Sequence, residues 1–243
     1  MIFRGLKSIT LDDPQQKVLL RLAQANVAIY SPHTAIDAAA GGLNDWLASL
    51  AAKVATGGGF SSKSSVVKPI ANSNIASSGS EAVGYGRLVT FGQPVEVASL
   101  LRAFSEGLGP TRPGHVQPRP FMVARPRTKT PGSASPSHIS SVAVCAGSGW
   151  DVLKDCEADA YVMGETSHHN ALRASMLGKW LITTFHSNSE RYYLQTVLVR
   201  RLSEALKQAV PDVKVVYSEE DRDPFEVMMV HPENGIMGQP SGL

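Results

Sequence analysis

Between residues 139 and 218 the chain alternates strand-like and helix-like runs with little spare length between them. ISSVAVCAG at 139–147 is apolar and β-prone, and ADAYVMG at 158–164 follows after a short turn. SHHNALRASML (167–177) carries helical spacing and WLITTF (180–185) is strand-like again. A helical stretch runs from about 188 to 208, and VKVVYS (213–218) closes the series as a strand. A strand and a helix each have an apolar side to bury, and a chain that alternates them buries one against the other in layers. The expected fold class is therefore α/β.

Upstream the same grammar is looser. PQQKVLLRLAQAN (14–26) puts Val18, Leu19, Leu22 and Ala25 at helical spacing, with Pro14 suited to a first turn. VAIYS (27–31) reads as a short strand, and GGLNDWLASLAAKVA (41–55) as a helix that Asn44 or a nearby glycine starts. Residues 57–82 are rich in Gly and Ser and read as a flexible insertion. YGRLVTF (85–91) is strand-like, VEVASLLRAF (95–104) helical, and FMVAR a short strand inside a Pro-, Gly- and Arg-rich region at 107–138. The expected divisions are 1–56, 57–82, a middle segment 83–138, a regular α/β region 139–227 and a tail 228–243.

Composition sets limits on what such a fold does. A hydrophobic share of 43%, a charged share of 18% and a net charge of +2 over 243 residues suit a globular chain with a sizeable core. That balance alone argues for neither nucleic acid nor a membrane surface. No window reaches the roughly 20 apolar residues of a membrane span. Arg4 and Lys7 break up the opening segment, which does not read as a secretory signal. Cys145 and Cys156 have no metal-like spacing and read as thiols in a reducing, intracellular compartment. Arg112, Arg119, Arg125, Arg127 and Lys129 make 107–138 basic, but without interleaved aromatics a solvated loop is the better reading than nucleic-acid contact.

Four short stretches carry chemistry. In HSNSE, His186 and Glu190 stand four apart where a strand gives way to a helix, so both can face one cation. The competing reading is a capping box, with Ser187 as N-cap and Glu190 reaching back. HTAID places His33 and Asp37 at the same spacing, against the alternative of an Asp that only turns the backbone. In GETSHHNAL, Glu165 ends a strand and points toward the crevice where α/β sheets hold ligands. Thr166 or Ser167 caps the next helix, and at most one of His168 and His169 lines a site. CAGSGW (145–150) is a Gly-rich turn that either presents backbone N–H groups to a phosphate or is simply tight.

Taken in order, YSPHTAIDAAAGGLNDWLA, VAVCAGSGWDVL, DAYVMGETSHHNAL and TTFHSNSERYYL resemble the NGG-one-interacting factor three (Nif-three) family, also labelled GTP cyclohydrolase I type 2 homologs. SEEDRDPFEV (218–227) is similar to its eukaryotic branch, and the resemblance covers Ile2 to about Val227. It implies a two-part layered α/β fold, a homo-oligomer built as a dimer or ring of dimers, and a two-metal site in an enclosed cavity. By that resemblance Asp37, His186 and Glu190 are ligands of divalent ions (zinc, manganese or iron), Glu190 bridging, while His33 and Glu165 line the cavity. The implied chemistry is metal-assisted hydrolysis of a nucleotide-like small molecule, with Glu165 or His33 as proton carrier. The alternative is an oligomeric scaffold that binds a transcriptional adaptor. Cytoplasm, mitochondrion and nucleus are the expected compartments. The family's His-bearing opening motif, which completes both metal shells, has no counterpart in this sequence. A shortened isoform or gene model with an incomplete first half is therefore expected, with about two protein ligands left per ion and apolar surface exposed.

Overall fold

The computed structural model describes residues 6–70, 83–110, 119–128, 133–221, 223–225, 227, 229–231 and 235–237. The chain forms two units, residues 1–36 and 37–243.

In the first unit, α1 (Pro14–Gln24) starts as its sequence requires. Pro14 takes the first turn and the Asp13 carboxylate accepts from the Gln16 N–H. None of its residues is buried. The VAIYS run forms no strand. β-Propensity needs a neighbouring strand to pair with, and among the described residues none pairs with 27–31. Short helix α2 (Thr34–Ala38) spans the division between the units.

The second unit is built on a six-stranded mixed sheet. Its elements are α3 (Leu43–Gly57), β1 (Ser62–Pro69), β2 (Gly84–Glu96), α4 (Val97–Gly107), β3 (Met122–Ala124), β4 (His138–Cys145), α5 (Trp150–Leu153), β5 (Ala160–Met163), α6 (His168–Met176) and β6 (Trp180–Thr183). The strand order is β1-β2-β4-β5-β6-β3, with β4, β5 and β6 parallel and the flanking pairs antiparallel. Every residue of β5 and β6 is buried, as are Val142 to Cys145 of β4. Parallel strands covered on both faces read as unbroken apolar runs rather than alternating ones, which is the pattern of VAVC, AYVM and WLIT.

Three local readings are corrected. Ser62–Pro69, expected within a flexible insertion, is an ordered edge strand paired from Ser62↔Phe91 to Pro69↔Gly84. Ser64 and Ser65 are exposed edge positions, where polarity is compatible with pairing; residues 71–82 lie outside the described ones. Pro94, Val95 and Glu96 stay extended past a register shift in β2, so α4 begins at Val97 rather than 95. VKVVYS is an irregular segment with Val216 81% exposed, and among the described residues no strand pairs with it.

Buried charge ties the layers together. Arg87 on β2, almost fully buried, holds Asp45 of α3 through Nε at 2.5 Å and Nη2 at 2.8 Å. Asp45 in turn accepts from the Gly41 N–H at 2.7 Å. Arg119 of the basic region points inward, donating to the carbonyls of Leu108 and Gly109 at the end of α4. It satisfies helix-end acceptors and is not part of a cationic surface. Arg112 and Lys129 lie outside the described residues. Cys145 is buried and Cys156 half-buried, and neither forms a disulfide. Among the described residues, no helix is long and apolar enough to cross a membrane.

After β6 the chain makes a 3₁₀ turn (Ser187–Ser189), then α7 (Arg191–Tyr193), a π-helical turn (Leu194–Leu198) and α8 (Val199–Lys207). A small separate hairpin pairs β7 (Met229–His231) with β8 (Gly235–Met237).

Candidate metal centre

The three parallel strands end side by side, Cys145 beside Met163 and Met163 beside Thr183. Gly147 and Glu165 stand two residues past their strand ends and His186 three past its own. The carboxyl edge of the parallel strands is thus where the candidate residues collect, as sheets of this kind dictate.

His186 is aimed by its predecessor. Phe185 adopts a left-handed backbone (φ 68°), which bends the chain off the strand line. The imidazole then lies between two carboxylates. Its Nδ1 is 2.9 Å from Glu165 Oε1, and its Nε2 is 3.3 Å from Glu190 Oε1. Glu165 also accepts from the Ser148 hydroxyl at 2.9 Å. The bond to His186, then that to Ser148, hold the Glu165 carboxyl below its usual range. The hydrogen bond to Glu190 leads in raising His186 to about 9, helped by Glu165 and opposed by burial. Both ring nitrogens thus face carboxylate oxygens, which favours the protonated ring.

Asp37 belongs to the same electrostatic group. Burial, and next the charge of Glu190, push its carboxyl up to about 7, while His186 pulls the other way. Two carboxylates held close in a partly dry place resist ionising together unless a cation joins them.

The surrounding backbone is pinned by residues whose part the sequence did not announce. Asn44, fully buried, donates to the Asp37 carbonyl (3.1 Å) and accepts from the Ala146 N–H (2.9 Å). It therefore ties the Asp37 segment to the Gly-rich turn and is not the start of α3, whose N-cap is Gly42. Ser189 accepts from the Gly147 N–H (2.9 Å) and donates to the His186 carbonyl (2.6 Å). The CAGSGW turn spends its Ala146 and Gly147 N–H groups on these two side chains and is the tight turn, not a phosphate cradle. Gly164 lets the neighbouring turn approach: a Cβ there would sit 2.8 Å from the Gly147 carbonyl oxygen.

The capping box in SNSE does not form. Neither Ser187 nor Glu190 makes a side-chain cap bond, because the chain enters through a 3₁₀ turn and Glu190 faces His186 instead. Ser167 does cap α6, accepting from the Asn170 N–H. His168 and His169 are exposed and meet edge to face at 5.8 Å. His33 belongs to the first unit, in left-handed backbone at φ 44°. A groove of about 420 Å³ lined by Lys53, Phe60, Val95 and Arg102 adjoins the start of β4, the opposite end of the sheet from these residues.

Do these residues fit a divalent ion? Among the described residues, no three His, Cys, Asp or Glu side chains close around one point. The donor chemistry fits part of a shell. Glu165 fixes Nδ1 of His186, so Nε2 is the nitrogen that would face an ion, as in the usual carboxylate support of a metal-bound histidine. Two ligands about 2.1 Å from a tetrahedral ion stand about 3.4 Å apart, close to the 3.3 Å between Nε2 and Glu190 Oε1. The carboxylates on both sides of His186 make this a place where positive charge is favoured.

A family model described as Duf34/NIF3 (NGG1p interacting factor 3) matches residues 1–224. A Schizosaccharomyces pombe protein named "Protein NIF3 homolog" is 41% identical over 228 residues, 94% of this chain and 74% of its own length. The Saccharomyces cerevisiae "NGG1-interacting factor 3" is 33% identical, covering 88% of this chain and 67% of that protein. Among solved structures, a Bacillus cereus protein related to NIF3 superposes with a TM-score of 0.68 at 17% identity, covering 93% of this chain and 80% of that one. This last likeness supports the layered fold.

Proposed function

This chain belongs to the Duf34/NIF3 family, in its eukaryotic branch, and from that premise we propose that it binds a divalent cation and acts as a metal-dependent hydrolase on a nucleotide-like small molecule. The observation that carries the reading is the His186–Glu190 pair at 3.3 Å, with Asp37 raised to about 7 beside it. Asp37, His186 and Glu190 would hold the ion. When bound, zinc, manganese or iron supplies Lewis acidity and a lowered pKa for water.

The chain's own residues prepare that chemistry. Glu165 orients the His186 ring through Nδ1, and Ser148 keeps Glu165 in place. The Glu165 carboxylate is half exposed, so it can also take a proton from a group arriving from solvent. Asn44 and Ser189 keep the turn beneath the pair from shifting. In an assembly of identical copies, other ligands would have to come from outside the three named here to complete two shells.

Titration of metal-free protein with Zn²⁺ or Mn²⁺ by calorimetry tests this reading. Binding should weaken at least tenfold in His186→Ala and Glu190→Gln, and nucleotide turnover should stop on chelation. Wild-type protein that binds neither ion removes the proposal.

A second reading rests on the name of the Saccharomyces cerevisiae relative, which records an interaction with NGG1. On it the chain is an oligomeric scaffold for a transcriptional adaptor. Metal-free protein that retains its assembly and its adaptor binding, with no turnover, would favour the scaffold.

A further inference from the structure

We propose that Gly147 is the floor of the cation cradle, and that its missing side chain is what leaves room for an ion between His186 and Glu190. The inference rests on the cation reading above and assigns a specificity-determining position outside the ligand set. A Cβ built on Gly147 falls 3.0 Å from Glu190 Oε1 and 3.1 Å from His186 Nε2. Those two atoms are themselves 3.3 Å apart. The glycine hydrogen therefore faces the point that both donor atoms share. A methyl group there would rise from the floor toward that shared point and press on both side chains at once.

The turn has no slack with which to retreat. Its Gly147 N–H is bound by Ser189 Oγ at 2.9 Å and the preceding Ala146 N–H by Asn44 Oδ1 at 2.9 Å. The Gly147 carbonyl accepts from the Glu165 N–H at 3.0 Å and the Gly149 N–H at 3.1 Å. Behind it, Gly164 packs against the Gly147 backbone closely enough that a Cβ on Gly164 would lie 2.9 Å from the Gly147 Cα. Any group added at 147 must therefore displace His186 and Glu190 rather than the turn.

Gly147 also has a left-handed backbone (φ 58°), so an alanine brings strain as well as bulk. Gly178 separates the two effects. It has φ 74° and nothing within 4 Å of an added Cβ, so its alanine variant carries the strain without filling a space. The experiment compares Gly147→Ala, Gly178→Ala and wild type by thermal melting and by calorimetric titration with Mn²⁺ and with Zn²⁺. Both variants should melt below wild type. Gly178→Ala should keep wild-type affinity, and Gly147→Ala should lose at least tenfold for either ion. Gly147→Asn, which tolerates left-handed backbone better and brings the same Cβ, serves where the alanine variant does not fold. Equal affinity in a folded 147 variant and wild type overturns the inference while leaving the cation reading intact. A parallel loss in Gly178→Ala also overturns it, since strain would then be the cause. A wild type that binds neither ion removes the cation reading and this inference together.

Discussion

The parallel strands and the helix that follows them are adjacent in sequence but different in how they are held. In β4 to β6, Val142, Ala143, Ala160, Tyr161 and Ile182 have no exposure at all. In α8 no residue is buried, and Leu202 and Leu206 are each 41% exposed. The candidate metal centre lies at the seam. Gly147 and Glu165 follow directly from buried strands and are joined to each other by a backbone bond, whereas Glu190 opens a helical segment that soon passes through a π-helical turn. One wall is thus set by a packed core and the other by a lightly anchored helix, which is where adjustment to a ligand is cheapest.

The contrast can be attacked from the packed side first. Ile182→Ala should lower the unfolding free energy by about 3 kcal/mol, because a buried Ile loses its transfer energy and leaves a cavity. Urea denaturation measures it, and a loss under about 1 kcal/mol would mean that the sheet is not the rigid wall.

The next effect concerns the seam itself and appears as a pH dependence of the metal-free protein. Asp37 is raised from 3.8 to about 7 in the folded chain, so folding binds its proton more tightly. Its stabilising contribution is complete below about 3.9 and disappears as pH rises to about 7. His186 is raised from 6.5 to about 9, so its contribution is complete below 6.5 and is lost as pH climbs through about 9. Glu165, lowered by its bonds to His186 and Ser148, acts oppositely and loses its contribution on acidification. Asp37→Asn should flatten the stability profile between about pH 4 and 7 and leave the alkaline limb in place. An unchanged profile in that variant would separate Asp37 from the group.

The smallest effect is expected on the lightly held side. Leu206→Ala should change stability by no more than about 0.5 kcal/mol in a dilute monomeric sample, the usual size for an exposed position. A loss several times larger, growing with protein concentration, would show that α8 is covered by another molecule.

Much of this arrangement was legible in the residues. The apolar runs at 142–145, 160–163 and 180–183 announced buried strands, and the Ser167 cap announced α6. In HSNSE the turn brings His186 and Glu190 to one side, 3.3 Å apart, a spacing that the four-residue separation allows. The competing capping box does not form, because the chain enters the helical segment through a 3₁₀ turn that the letters SNSE do not announce. The strand at Ser62–Pro69 was hidden by its serines, which polar edge positions tolerate.

Local physics, then, is what the sequence determined by itself: which runs bury, where the sheet's strands end, and that His186 and Glu190 share a side. Tertiary structure decided what those ends meet. Asn44 joins Ala146 across 102 positions, and Gly147 comes beneath the His186–Glu190 pair only because parallel strands align their ends. No pattern within a few residues can encode such a meeting, since it depends on which strands pair and in what register.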